Sequence, residues 1–183
     1  MTDSGPALAM GVDPEVDDVM ARPPRAAGAR AIGGAMWAGI VAMGAVMAFV
    51  TLFSLDLWLP GGLVDGGETI DVARTAAFTT LVLAQLFNAL NARSGTVTAF
   101  RRLFANRWLW GAILLGVGLQ VAVVQVPALQ VAFGTVPLDP IHWATCLALA
   151  SVVLWYEEAR KAVSRLLHRR ASRRAGPRGT MAA

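Results

Sequence analysis

Asp3, next to Thr2, is the side chain with the most chemistry to do. It lies in the stretch 1–12 (MTDSGPALAMGV), which is otherwise apolar apart from Thr2 and Ser4. At about 1.5 Å rise per residue this stretch covers about 18 Å, while a bilayer core needs about 30 Å, so it reads as the second half of a membrane helix. If it enters from the side of the hydrophilic loop that follows, Asp3 lies near mid-membrane. A bare carboxylate there is costly and normally has a partner or a cation. Gln85 and Asn88 are the second candidates: they stand three apart in an apolar run and share a helix face with Ala92. Their amide oxygens suit either an ion or neighbouring helices, and for Asn88 and Asn91 plain interhelical hydrogen bonding is at least as good a reading.

Other chemistries find little to work with. Cys146 is the sole cysteine, so there is no disulfide framework and no Cys-rich metal motif, and His142 and His168 fall at opposite ends of one predicted helix. What remains for a metal is hard oxygen donors from Asp, Thr, Asn, Gln and backbone carbonyls. Glu157 and Glu158 adjoin Arg160 and Lys161 at a helix end, where solvated pairing is the expectation. The chain contains neither a G-x-x-x-x-G-K-[ST] loop nor a plausible Ser-His-Asp set.

The elements that must position these residues are membrane helices. Hydrophobic residues make up 56% of the chain and charged ones 15%, and the charges are gathered into islands instead of spread as on a soluble surface. Four apolar runs, 31–53, 75–92, 108–126 and 141–156, each approach the length of a span. The expected fold class is an all-α membrane protein, four transmembrane helices in a bundle preceded by a half-helix stump, with a basic cytoplasmic tail.

Orientation follows from the basic residues. Of sixteen Lys and Arg, three precede the first full run, four lie at 93–107, eight follow Tyr156, and only Arg74 lies on the opposite side. The positive-inside rule then puts both termini in the cytoplasm and 54–74 and 127–140 outside a multi-pass cell-membrane protein. The tail reads as an orientation signal and an anionic-lipid contact, so membrane lipids are expected partners and nucleic acid is not. Small residues recur at Ala35 and Gly39, Gly44 and Ala48, and Ala112 and Gly116, a spacing that lets helices approach closely. Trp37, Trp58, Trp108, Trp110, Trp143 and Trp155 gather toward run ends, as aromatic belts do. No basic region followed by an apolar core and a cleavage site opens the chain.

The stretch TDSGPALAMGVDPEVDDVMARPPR, from Thr2 to Arg25, resembles the sixth transmembrane helix and following cytoplasmic loop of P-type cation-transporting ATPases of the calcium-pump branch. LAQLFNALNAR, from Leu83 to Arg93, is similar to that family's eighth helix, and the likeness extends over Thr2 to about Arg165. The resemblance implies three parts: 1–30, the end of the sixth helix and its loop; 31–158, the four-helix C-terminal membrane domain; and 159–183, a basic tail. It also implies that Thr2 and Asp3 are oxygen ligands to the transported cation. Gln85 stands where two-calcium pumps carry Glu and other pumps carry Gln, which puts a second calcium site in doubt.

The family's D-K-T-G phosphorylation motif and nucleotide-binding domain are absent from these 183 residues. The implied role is thus a support domain or fragment of an ATP-driven, calcium-like cation transporter, not competent for ATP hydrolysis alone. No cofactor is expected on this segment by itself; Mg-ATP and the cation belong to the complete pump, whose remaining domains are the implied partners. The alternative is a self-standing four-helix membrane protein that associates with a pump or acts as a small transporter.

Overall fold

A computed structural model describes residues 4–11, 33–64, 67–92 and 107–174. Among them every regular element is helical: α1 (Ser4–Gly11), α2 (Gly34–Trp58), α3 (Ile70–Ala92), α4 (Arg107–Gln125), α5 (Pro127–Phe133) and α6 (Pro140–Arg174). Three stretches, Met36–Trp58, Ile70–Asn91 and Arg107–Gln125, are long and apolar enough to cross a membrane.

The expected fourth run became the first half of α6, which falls outside that set of three. His142, Thr145 and Ser151 dilute its apolar character, Glu157 closes it, and the helix continues through charged residues to Arg174. The stretch 127–140, read from sequence as an external loop, contains the short helix α5. Pro127 at its start lacks the N–H an uninterrupted helix would use, and Gly134 ends it in the left-handed conformation at φ 65°.

α3 is the central helix, packed most extensively on α6 and α2, with α4 and α1 on its flank. Its core partners follow from apolar residues at helical spacing: Leu83, Ala84 and Leu86 of α3 meet Met43 and Val50 of α2 and Cys146, Ala150 and Val153 of α6. A second cluster joins Ala9 of α1 to Leu109 and Ile113 of α4. Small residues set the spacing as the sequence implied: a side chain at Gly116 would stand 3.0 Å from Leu86, and one at Gly5 3.6 Å from Ala112.

α2 is apolar all round. Its outward Trp37, Ile40, Val41, Phe49 and Leu52 are exposed, a surface that water would penalise and a lipid phase does not. After α2 the chain turns on Asp56, whose backbone carbonyl accepts the Leu59 N–H at 3.3 Å and whose Oδ1 accepts the Leu63 N–H at 2.9 Å. Gly62 is required there, because a Cβ would stand 2.6 Å from the Asp56 carbonyl oxygen.

Candidate functional site

Thr2 and Asp3 lie outside the described residues. The helix that follows them is held mainly on α4, through the buried Ala9 against Leu109 and Ile113, with Leu90 of α3 packed beside that cluster. Gln85 is half-buried on α3. It belongs to a stripe at three- and four-residue spacing, Arg74, Phe78, Leu81, Gln85 and Asn88, none of which is buried, whereas Ala73, Ala76, Thr80, Leu83 and Ala84 on the other faces are. The sequence-predicted amide thus occupies the open face of the central helix. Among the described residues no group of three His, Cys, Asp or Glu side chains lies close enough together to hold a metal ion.

Asn91, six residues on, is buried and does something different. Its Nδ2 donates to the Val153 carbonyl of α6 at 3.3 Å, the interhelical bond weighed from sequence, while Oδ1 has no hydrogen-bond partner. The Asn91 backbone carbonyl, among the last of α3, accepts from Lys161 Nζ at 3.1 Å. A cation at a helix C-terminus is favoured by the helix dipole and by the carbonyls left without intrahelical partners.

The charged cluster on α6 corrects the expectation of solvated pairs. Glu157 and Lys161 are buried, 7% and 2% exposed, because the charged turns of α6 continue to pack on α3 and α2. Arg160 Nε donates to Glu157 Oε2 at 2.8 Å and Nη2 binds the other carboxylate oxygen, a two-point pair one turn apart. Lys161 Nζ stands 3.9 Å from Glu158 Oε1. Burial beyond the apolar run pushes the Lys161 ammonium below its usual value, with Glu157 and Glu158 acting in the opposite direction.

These groups edge a groove of about 670 Å³ between α2, α3 and α6. Met36, Met43, Met47, Gly39 and Gly44 form the α2 wall; Asn88, Asn91, Glu157 and Arg160 form the polar one. Two small residues singled out from sequence, Gly39 and Gly44, therefore open a groove instead of closing a helix contact; nothing stands within 4 Å of where a side chain at Gly44 would begin.

Toward the opposite end the bundle is stitched by neutral polar groups that sequence reading did not single out. Gln120 Nε2 donates to Thr79 Oγ1 at 2.9 Å, linking α4 to α3, and Thr80 Oγ1 donates to Ser54 Oγ at 2.8 Å, linking α3 to α2. Cys146 Sγ donates to the Ala76 carbonyl at 3.4 Å. Beyond them the connecting segments are tied down: Val136 N–H donates to Thr75 Oγ1, Thr135 Oγ1 to the Val123 carbonyl and Gln125 Nε2 to the Leu138 carbonyl. His142 packs edge-on against Trp58 at 4.4 Å, accepts the Asp139 N–H at Nδ1, and turns Nε2 to within 3.7 Å of Glu68. The one available signal was a cluster of Thr and Gln inside apolar runs, where each must find a partner.

Residues 1–163 match the family described as the C-terminus of cation-transporting ATPases. Over 158 residues the chain is 32% identical to a calcium-transporting ATPase of Bacillus subtilis, covering 83% of the chain and 17% of that relative. It is 33% identical over 168 residues to the mouse calcium-transporting ATPase type 2C member 2, covering 91% of the chain and 17% of the relative. A probable cation-transporting ATPase F of Mycobacterium tuberculosis is 31% identical over 156 residues, which is 80% of the chain and 16% of that protein. The chain thus spans less than a fifth of the length of these relatives.

Proposed function

Because the chain belongs to the family of cation-transporting ATPase C-termini, we propose that it braces the transport helices of an ATP-driven pump for a calcium-like cation. The observation that carries this reading is the open stripe of α3. Leu81, Gln85 and Asn88 are half-buried on the face that the bundle does not close, in a segment whose relatives are calcium-transporting ATPases. Half-buried amides on such a face suit contact with further helices or an ion.

In that assembly Asp3 supplies the charge and Thr2 and Gln85 supply neutral oxygens. A partly dehydrated hard cation needs about six to eight oxygens and negative charge to offset its lost water. The phosphorylated carboxylate, Mg-ATP and the nucleotide-binding domain come from the rest of the pump; the present residues hold helices and ligands in place. Both termini face the cytoplasm of a cell membrane, with residues 1–30, 31–158 and 159–183 acting as half-helix and loop, four-helix domain and basic tail. Lipid surrounds α2, and the tail touches anionic headgroups.

The test is made in a complete pump carrying this domain. Asp3→Asn abolishes calcium-dependent phosphoenzyme formation, and Gln85→Ala weakens it less, because a neutral amide provides less of the binding energy than a carboxylate. Unchanged cation affinity in the Asp3→Asn pump would remove the ligand role.

A further inference from the structure

The corner between α4 and α5 meets its backbone carbonyls from within the chain. α4 ends at Gln125, and Pro127 lacks the N–H that the Val123 carbonyl would accept in a continuous helix. Thr135 Oγ1 donates to that carbonyl instead, and Gln130 Nε2 donates to the Val124 carbonyl, each at 2.7 Å. The neighbouring Ala122 and Val126 carbonyls accept backbone N–H groups at 2.9 and 3.0 Å, and Gln125 Nε2 donates to the Leu138 carbonyl. In water, solvent meets the last carbonyls of a helix; in an apolar phase the protein itself must meet them. With Gln125, Gln130 and Thr135 bonded to backbone, the outward surface of α5 and its approach is apolar. Ala128 and Ala132 are exposed, Val126 is 43% exposed and Val131 88%.

The composition of the corner is a second, independent observation. No charged residue stands between Arg107 and Asp139, although α4 accounts only for Arg107–Gln125. The connection between α2 and α3, at the same end of the bundle, carries Asp65 and Glu68. At about 1.5 Å per residue the 19 residues of α4 cover about 28 Å, close to the hydrocarbon thickness of about 30 Å. With Arg107 at one membrane boundary, α5 begins at the other. We infer that α5 is a lipid-contacting element, lying in the external interface of the bilayer with Ala128 and Val131 against outer-leaflet acyl chains. An uncharged segment with an apolar outward surface and an internally bonded backbone suits that depth, whereas the same surface in water would be penalised. Residues 127–133, which the distribution of charge alone places outside the membrane, then belong to its surface layer. The inference needs a bilayer around α4 and does not depend on the pump reading.

Electron paramagnetic resonance of a nitroxide on single introduced cysteines tests this, in the full chain reconstituted into phosphatidylcholine vesicles. Oxygen concentrates among acyl chains and a nickel chelate stays in water, so the ratio of their collision rates with the label reports its surroundings. Cys146 is buried, and the parent chain gives its background labelling. Val131→Cys replaces an exposed side chain, and Ala128→Cys, one turn away on the same face, gives an independent second reading. Both labels collide more with oxygen than with the chelate. Asp71→Cys, at an exposed position in the first turn of α3, shows the reverse, with an oxygen-to-chelate ratio several-fold lower. Chelate-dominated collisions on α5, equal to those at Asp71, put α5 in water and overturn the inference. Low collision with both agents means that protein covers α5, from a second copy or another part of a pump, and overturns lipid as its occupant.

Discussion

The two ends of the bundle solve the same problem, polar groups next to an apolar phase, in opposite ways. At the end formed by the C-terminus of α2 and the start of α3, neutral side chains bind one another and the connecting backbone, as in Gln120–Thr79, Thr80–Ser54 and Val136–Thr75. At the other end the polar groups are ions, Lys161 on the Asn91 carbonyl and Arg160 on Glu157, and a groove is left open beside an unpaired amide oxygen. Neutral hydrogen bonds close a structure because they use up donors and acceptors locally, although Trp58 Nε1 and His142 Nε2 at this end also have no hydrogen-bond partner. Ions in a partly buried place seldom balance so completely, and what remains is capacity to bind something else.

The sharpest way to break this contrast is at Lys161. Lys161→Met keeps the length of the side chain and strands the Asn91 carbonyl, a loss of about 1–3 kcal/mol for an unsatisfied buried acceptor. Thermal unfolding in detergent checks it. A melting temperature equal to that of the parent chain would show that the ionic end contributes nothing to holding α3.

The same residue sets a pH dependence whose sign is fixed. Burial lowers the folded pKa of Lys161, so between that value and the unfolded value of about 10.4 the unfolded chain holds more protons. The contribution of this group to stability then rises with pH through that window and is flat below it. Lys161→Met removes the rise, as denaturation midpoints at successive alkaline pH values would report.

Overpacking at the α3–α4 contact ranks beside the loss of Lys161. A side chain at Gly116 would stand 3.0 Å from Leu86, and Gly116→Val is expected to lower stability by about 1–3 kcal/mol, whereas Gly44→Ala, at the open groove, changes it little. Similar losses at the two glycines would erase the distinction between closed and open packing.

The smallest effect is expected at the neutral end. Thr80→Val removes the bond to Ser54, and interhelical bonds of this kind average about 0.6 kcal/mol in membranes. A much larger loss would mean that the neutral end, and not the ionic one, dominates cohesion.

Chain order, helix type and the family were legible in the residues themselves. Long apolar runs bounded by charge admit almost no other structure in a bilayer, since every backbone N–H and C=O must be satisfied within the segment. Asn91 was read as an interhelical residue on the same ground. The open face around Gln85 was not legible, because α3 carries apolar residues on most of its circumference and periodicity alone does not say which stripe its neighbours leave uncovered. Nor did sequence reading find the pairings of Gln120, Thr79, Thr80 and Ser54, which join residues 26 and 41 positions apart.

Local sequence thus determined that helices form and roughly where α2, α3 and α4 begin and end, though not the reach of α6 to Arg174 or the short α5, because those outcomes depend on hydrogen bonds within a few residues and on hydropathy averaged along a segment. Which faces meet was decided by tertiary structure. Glu157 and Lys161 look like surface charges when read along α6, and only the continued packing of that helix on α3 makes them buried. Gly39 and Gly44 have the spacing of a helix contact, and only the placement of α2 against α3 and α6 makes them the wall of a groove.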